Sequence, residues 1–296
     1  MGYRTLIVKE HAKLELSLGS IFIRRTEVNE TKAINIDEVN LLIIETPNVA
    51  ITASLLSELI NKKVRVIFCD EKHNPQFECM PYYGTSDSSL KVRSQIQWSD
   101  KIKNDVWERI IWMKIENQSR LLKALDCIES YTMLQEYKNS LESGDITNRE
   151  GHAAKVYFNS LFGMSFSRRQ DTSINAKLNY GYAILLSMCS REIASLGYIT
   201  QLGIHHDNQD NIFNLSCDCM EPFRPIIDSI VIRKFIDGEF DVDNKNALIS
   251  TIMNTKVIVY DKVYSLDYAV GMFVQSVMNA IENNCTDIIK NFDYEY

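Results

Sequence analysis

The chain has 296 residues, of which 45% are hydrophobic and 24% charged, the make-up of an ordinary soluble globular protein. This excludes a wholly disordered chain, a collagen-like repeat and a small disulfide scaffold, and the length predicts two domains or one large one. The net charge of −7 is unevenly spread: residues 1–100 carry 12 basic and 13 acidic side chains, 101–200 carry 13 and 11, and 201–296 carry 7 and 15. The middle third is therefore the part suited to a phosphate backbone, and the acidic last third the part suited to a cation.

Residues 1–75 read as a small β-rich domain. Tyr3–Lys9, Ile21–Arg25, Ile34–Ile36 and Val64–Cys69 are β-branched or apolar runs, and Val39–Glu45 (VNLLIIE) is continuous enough for a strand buried on both faces. Thr52 is placed to cap a helix over Ala53–Lys62, with Leu55, Leu56 and Leu59 on one face. Residues 76–87, rich in turn formers, predict a linker or hinge.

From 88 to 296 the pattern is helical. Apolar residues recur at helical steps over Leu90–Trp98 and Ile102–Leu125, and a further helix is expected over Tyr131–Leu141. Thr147-x-x-Glu150 has the form of a capping box opening a helix through Phe162. Ser173–Leu196 predicts a long helix ended by Gly197. Leu215–Phe235 predicts another, disturbed early by Pro222 and Pro225. A hairpin (257–260 with 263–266) and an amphipathic helix over Asp267–Asn283 close the chain. The fold class is α+β and multidomain: a small N-terminal β-rich domain, then a larger all-α one. No run approaches the ~18 apolar residues of a membrane span, and the first residues have the form of neither a signal peptide nor a myristoylation site. Seven scattered cysteines without a CxxC pair predict free thiols in a reducing cytoplasm.

Three segments carry the polar groups from which a site can be built. In Asn148–Phe158, Glu150 heads a stripe with Ala154, Tyr157 and Leu161; it is either the reciprocal partner of a Thr147 cap or a carboxylate facing an interior site. In Asp171–Tyr182, Asn175, Asn179 and Tyr182 form a polar stripe that either orients a ligand or is solvated. In Gly203–Pro225, Asp218 and Glu221 share a helical face, Arg224 follows, and His205 and His206 lie on a loop upstream. Two carboxylates that close repel unless a cation sits with them, and oxygen-rich ligation with one imidazole suits Mg²⁺ or Mn²⁺ better than zinc. His152, Cys217 and Cys219 read as structural or surface residues.

Over essentially its whole length, in MGYRT, LLIIET, VIFCDEKHNP, PYYGTSDSS, NREGHAAKVYF, INAKLNYGYAILL and LSCDCMEPFRPIID, the chain resembles the CRISPR-associated adaptation integrases, the universal Cas endonucleases that insert new spacers, in the form found beside type II-A systems. The resemblance implies a metal site of Glu150, His206 and Glu221, with Asp218 completing the catalytic set and Arg224 a basic position beside it. His205 is the alternative ligand. It implies a Mg²⁺- or Mn²⁺-dependent DNA strand transfer, in which a 3′-hydroxyl attacks a repeat phosphodiester, with associated endonuclease activity. Arg224, Arg168, Arg169, Asn175, Asn179 and Tyr182 are the expected DNA or phosphate contacts, and Lys177 a further candidate. The implied partners are double-stranded DNA (protospacer and CRISPR repeat) and a second copy bound through the N-terminal domain as a homodimer. A dimer of a small ferredoxin-like Cas protein would complete a heterohexamer, and the DNA-end-binding ring protein and RNA-guided effector nuclease of type II-A systems would join them. The competing readings are a stand-alone structure-specific nuclease, a non-catalytic DNA-binding scaffold and, least favoured, a non-haem iron protein built on His205 and His206.

Overall fold

The computed structural model describes residues 4–25, 30–71, 73, 75–79 and 85–296. The chain divides into two compact units, Met1–Tyr82 and Tyr83–Tyr296. The first holds strands β1 (Arg4–Val8), β2 (Ala12–Ser17), β3 (Ser20–Arg25), β4 (Glu30–Asn35), β5 (Val39–Ile44) and β6 (Val49–Ile51), helix α1 (Ala53–Asn61), and strands β7 (Arg65–Cys69) and β8 (Pro75–Glu78). They form two four-stranded sheets, ordered β1-β5-β7-β8 and β4-β3-β2-β6. In the first sheet β5 pairs parallel with both β1 and β7. A central parallel strand is covered on both faces, which is why VNLLII is apolar without alternation, and its last four residues are all buried. The core gathers Leu14, Ile21, Leu42, Ile44, Leu55, Leu59 and Val66. Thr52 caps α1 as expected, its hydroxyl accepting from the Leu55 amide.

β4, expected over Ile34–Ile36, runs earlier, over Glu30–Asn35, and Ile36 opens a 3₁₀ turn; its edge position leaves it mostly exposed. β2 and β6 lie where no strand is expected. β8 falls inside the segment expected to be a linker: Pro75–Glu78 pairs antiparallel with β7, so residues 76–78 belong to the sheet. Proline is tolerated there because β8 is an edge strand. Residues 80–84 of the expected hinge lie outside the described residues.

The second unit is mostly helical: α2 (Ser88–Ile96), α3 (Asp100–Ala124), α4 (Ile128–Asn139), α5 (Arg149–Phe162), α6 (Ser173–Ser195), α7 (Asn214–Met220), α8 (Arg224–Lys234), α9 (Val242–Asn254), the hairpin β9 (Lys256–Val259) and β10 (Lys262–Ser265), and α10 (Leu266–Glu282). Helix α3 packs against α4, α5, α8 and α10. Val106, Trp107, Ile110, Ile111, Ile115, Leu121 and Leu122 are buried along it, too many for one amphipathic stripe, as a helix enclosed by neighbours requires. Helix α6 ends at Gly197, whose φ of 86° lies in the left-handed region that glycine adopts without strain. Among the described residues no helix is long and apolar enough to cross a membrane.

Helices α6 and α8 meet at Gly181. A Cβ there would lie 2.4 Å from Ile227 Cγ2, a distance no packed pair of carbons occupies. Gly181→Ala should therefore force the two helices apart and lower the unfolding free energy by about 1–3 kcal/mol, measured by urea denaturation. An unchanged midpoint would show that this crossing has slack.

Candidate functional site

Three stretches far apart in sequence converge on α3. The first is the start of α5. Thr147 does not cap it: its hydroxyl is buried without a hydrogen bond. The Asp145 carboxylate takes that part, accepting from the amides of Arg149 (2.7 Å) and Glu150 (3.0 Å). Asn148, in the left-handed region at φ 53°, turns the chain into the helix. The Glu150 side chain is thus free of capping, and its Oε1 lies 2.5 Å from Lys114 Nζ.

The second stretch is the break between α7 and α8. The disturbance expected at Pro222 and Pro225 is a 3₁₀ turn at Glu221–Phe223 that parts the helix in two. Asn117 of α3 pins this turn, its Nδ2 donating to the Pro222 carbonyl (2.9 Å). Glu221, 3% exposed, thereby reaches the same ammonium: Lys114 Nζ lies 2.5 Å from its Oε2, and Arg224 Nε 3.1 Å from its Oε1. Glu221 is thus held between two cations. Burial would push Lys114 down, but Glu221 and Glu150 outweigh it and hold its proton more tightly than usual. Burial would likewise raise Glu221, but Arg224 and Lys114 prevail and keep it below the ordinary carboxylate range.

The third stretch is the loop at 203–206. The Asp218 carboxylate is fully buried and organises this loop alone. Its Oδ2 accepts from the amides of Ile204 (2.6 Å) and His205 (3.2 Å), and its Oδ1 from the His206 amide (3.1 Å) and His206 Nδ1–H (2.6 Å). Gly203 is required by this wrap: a Cβ there would stand 2.2 Å from the His206 carbonyl oxygen and 2.8 Å from Asp218 Oδ2. The two histidines part company. His205 stacks flat on Trp107 at 4.2 Å, while His206 meets the edge of the same indole. With Nδ1 committed to Asp218, the Nε2 lone pair of His206 is the one left for a ligand. The His206 side chain is 38% exposed. The hydrogen bond to Asp218 raises its pKa above the usual imidazole value, against the opposing effect of burial.

Glu150 and Glu221 are thus joined through Lys114, and His206 acts electrostatically on Glu221. The expected three-way grip on an ion is not formed as the side chains stand: among the described residues no three His, Cys, Asp or Glu side chains are disposed to hold a metal ion. The donor set nonetheless suits a divalent cation, since two carboxylates already surround one positive charge. Lys114 was not singled out from sequence. Its signal is a lysine in the apolar series Trp107, Ile110, Ile111, Ile115 and Leu121, at a position that is 5% exposed.

Of the polar stripe on α6, Asn175 and Tyr182 are buried and Asn179 is exposed. Asn175 is 2% exposed, and its amide donates to the carbonyls of Ser167 and Gln170 (2.8 Å each). Asn175 and Asn179 both accept from the Arg168 guanidinium. Tyr182 donates to Asp228, which also accepts from Tyr157 (2.8 Å). The tyrosine ring underlies two guanidinium groups, Arg168 at 5.2 Å and Arg224 at 4.8 Å. Asn175 and Tyr182 therefore hold cations in place rather than presenting themselves to a ligand. Lys177 is also buried, donating to the carbonyls of Asp237 and Gly238, and is not a surface charge. Arg169 is exposed.

Asp228 is fully enclosed, and burial pushes its carboxyl up to about 6 despite the two phenol donors and nearby arginines. A folded-state value above the unfolded one stabilises the fold at low pH and loses that contribution as pH rises through about 6. Asp228→Asn removes the titration. Its unfolding free energy relative to the unsubstituted chain should rise by about 3 kcal/mol from pH 4 to pH 7, read from urea melts across that range. A flat difference would place the Asp228 proton elsewhere.

Known proteins resemble this chain in sequence and in fold. A curated relative, the CRISPR-associated endonuclease Cas1 of Neisseria meningitidis serogroup C (strain 8013), is 29% identical over 305 residues, covering 100% of both chains. The protein of the same description numbered 1 in Francisella tularensis subsp. novicida (strain U112) is 25% identical over 277 residues, covering 84% of this chain and 86% of its own. Among solved structures, a casposase bound to integration product shares the fold with a TM-score of 0.77 at 20% identity, covering 99% of this chain and 94% of that one. A Cas6-RT-Cas1–Cas2 complex matches with a TM-score of 0.74 at 16% identity, over 99% of this chain and 36% of the longer one. The family described as CRISPR associated protein Cas1 matches residues 5–258, most of the chain, and the chain belongs to that family.

Proposed function

We propose that this chain is a metal-dependent DNA integrase of CRISPR spacer acquisition, with nuclease activity at the same site. The observation that carries the reading is the meeting of Glu150, Glu221 and Lys114 beside an imidazole held by a buried carboxylate. In support stand the endonuclease description of the curated relatives and the integration product in the casposase structure.

Glu150, Glu221 and His206 Nε2 would hold a divalent cation, Mg²⁺ or Mn²⁺ by the oxygen-rich donor set. Such an ion, when bound, polarises a phosphodiester and stabilises charge on its oxygens. Asp218 keeps the His206 proton on Nδ1 and orients the ring. Arg224 rests on the Tyr182 ring with its Nε toward Glu221, leaving its terminal nitrogens for the forked phosphate contact that guanidinium groups make well. Arg168, held by the Asn175 and Asn179 carbonyls, and exposed Arg169 extend the basic strip along a DNA backbone. The reaction is a balanced exchange of esters. A 3′-hydroxyl oxygen of the incoming fragment bonds to phosphorus in the repeat. The bond from that phosphorus to its own 3′-oxygen breaks, and the released oxygen takes up a proton. With water as nucleophile the same displacement cuts DNA.

The substrate would be double-stranded DNA, fragment and repeat. The Cas1–Cas2 composition of a related complex supports a small Cas2 partner, and a homodimer through the N-terminal unit would supply two sites for the two fragment ends.

With the small partner, repeat DNA and Mn²⁺ or Mg²⁺, Glu150→Ala and His206→Ala should keep a folded circular-dichroism spectrum and lose strand joining. The loss should exceed the ~10–100-fold expected for Asp218→Asn, which weakens the support of the imidazole and of the 203–206 backbone but leaves the ligands in place. Normal joining by either alanine variant would overturn the assignment.

A further inference from the structure

We propose that Lys114 is the resting occupant of the seat between Glu150 and Glu221, and that a divalent ion enters by exchange with its ammonium. The proposal rests on the metal-dependent reading above and adds the residue that competes for the site. Lys114 Nζ lies 2.5 Å from an oxygen of each carboxylate, and its side chain is 7% exposed. Two carboxylate oxygens at that distance from a single point lie close to the ~2.1 Å shell of a small divalent ion. Lys114 is therefore not a neighbour of the seat; it fills it.

Charge counting says why both cannot stay. Glu150, Glu221 and Asp218 contribute three negative charges, Lys114 and Arg224 two positive ones, and His206 is neutral as a ligand, so the resting site carries one negative charge. Adding a dication would leave one uncompensated positive charge among largely buried groups, which a low-dielectric setting opposes. If the ammonium leaves, the site is neutral. The contact can be broken by a small movement, since a lysine head swings on a flexible four-carbon stem. The Glu150 side chain, 32% exposed, gives the displaced head a way out. In the absence of metal the exchange has a use: the ammonium keeps two facing carboxylates from repelling one another.

The test uses the full chain and Mn²⁺ alone. Lys114→Met keeps the stem volume and removes the charge. Without metal its melting temperature should fall by roughly 5 °C. It should bind Mn²⁺ at least about tenfold more tightly by isothermal titration calorimetry, and Mn²⁺ should raise its melting temperature more than that of the unsubstituted chain. An affinity no higher than that of the unsubstituted chain overturns the proposal. A second measurement needs no variant: reductive methylation read by mass spectrometry should spare Lys114 without metal and modify it once Mn²⁺ is bound. Equal protection of Lys114 with and without bound Mn²⁺ also overturns it. Glu221→Gln separates the two readings. If it loses Mn²⁺ binding while Lys114→Met gains none, only the exchange fails. If it binds Mn²⁺ as the unsubstituted chain does, the metal is elsewhere and the proposed site fails with it.

Discussion

A single buried positive charge makes the rest of this site possible. Two carboxylates brought to one point repel, and burial amplifies the repulsion because little water remains to screen it. Lys114 resolves the conflict from α3, and Arg224 adds a second positive charge on the far side of Glu221. Much of the surrounding structure serves to bring these four groups together. Asp145 caps α5 so that Glu150 does not have to. Asn117 pins the turn that carries Glu221, from a position three residues along α3 from Lys114. Removing one member of such a cluster costs more than its interactions are worth, since it strands the others without compensation.

The acidic pair three residues apart divides the work. Asp218 faces the 203–206 loop and spends both oxygens on backbone amides and the His206 ring. Glu221, beyond the end of α7, faces the cations instead. Nearness in sequence is no guide to role here, because the helix breaks between them. The same holds for the histidine pair, one stacked on an indole and the other bonded to a carboxylate. In a chain of net charge −7 the positive groups are set in place locally. Asn175, Asn179 and Tyr182 fix the Arg168 and Arg224 groups rather than adding polarity of their own.

In the N-terminal unit the strongest sequence signal and the most buried strand coincide at Val39–Ile44. Three strands have no counterpart in the sequence reading: β6 and β8, which are short edge strands, and the interior β2, whose Ala12, Leu14 and Leu16 alternate with polar residues. Pro75–Glu78 is the clearest case. Its proline reads as punctuation, yet at a sheet edge it costs no ladder hydrogen bond that a neighbour requires.

Local pattern suffices for the class of fold, for most helix starts, for the glycine that ends α6 and for the polar residue types from which a cation site could be assembled. The family is legible too, in stretches long enough to outweigh the ambiguity of single motifs. Packing alone establishes that Asp145 and not Thr147 caps α5, that Asn175 and Tyr182 on α6 are buried while Asn179 is not, and that Lys114 stands between Glu150 and Glu221. The reason is range. Caps and periodicity act over one or two helical turns, within which neighbouring residues settle the geometry. The partner of a buried charge is chosen by how whole helices pack, and no local pattern records which distant carboxylate a lysine will meet.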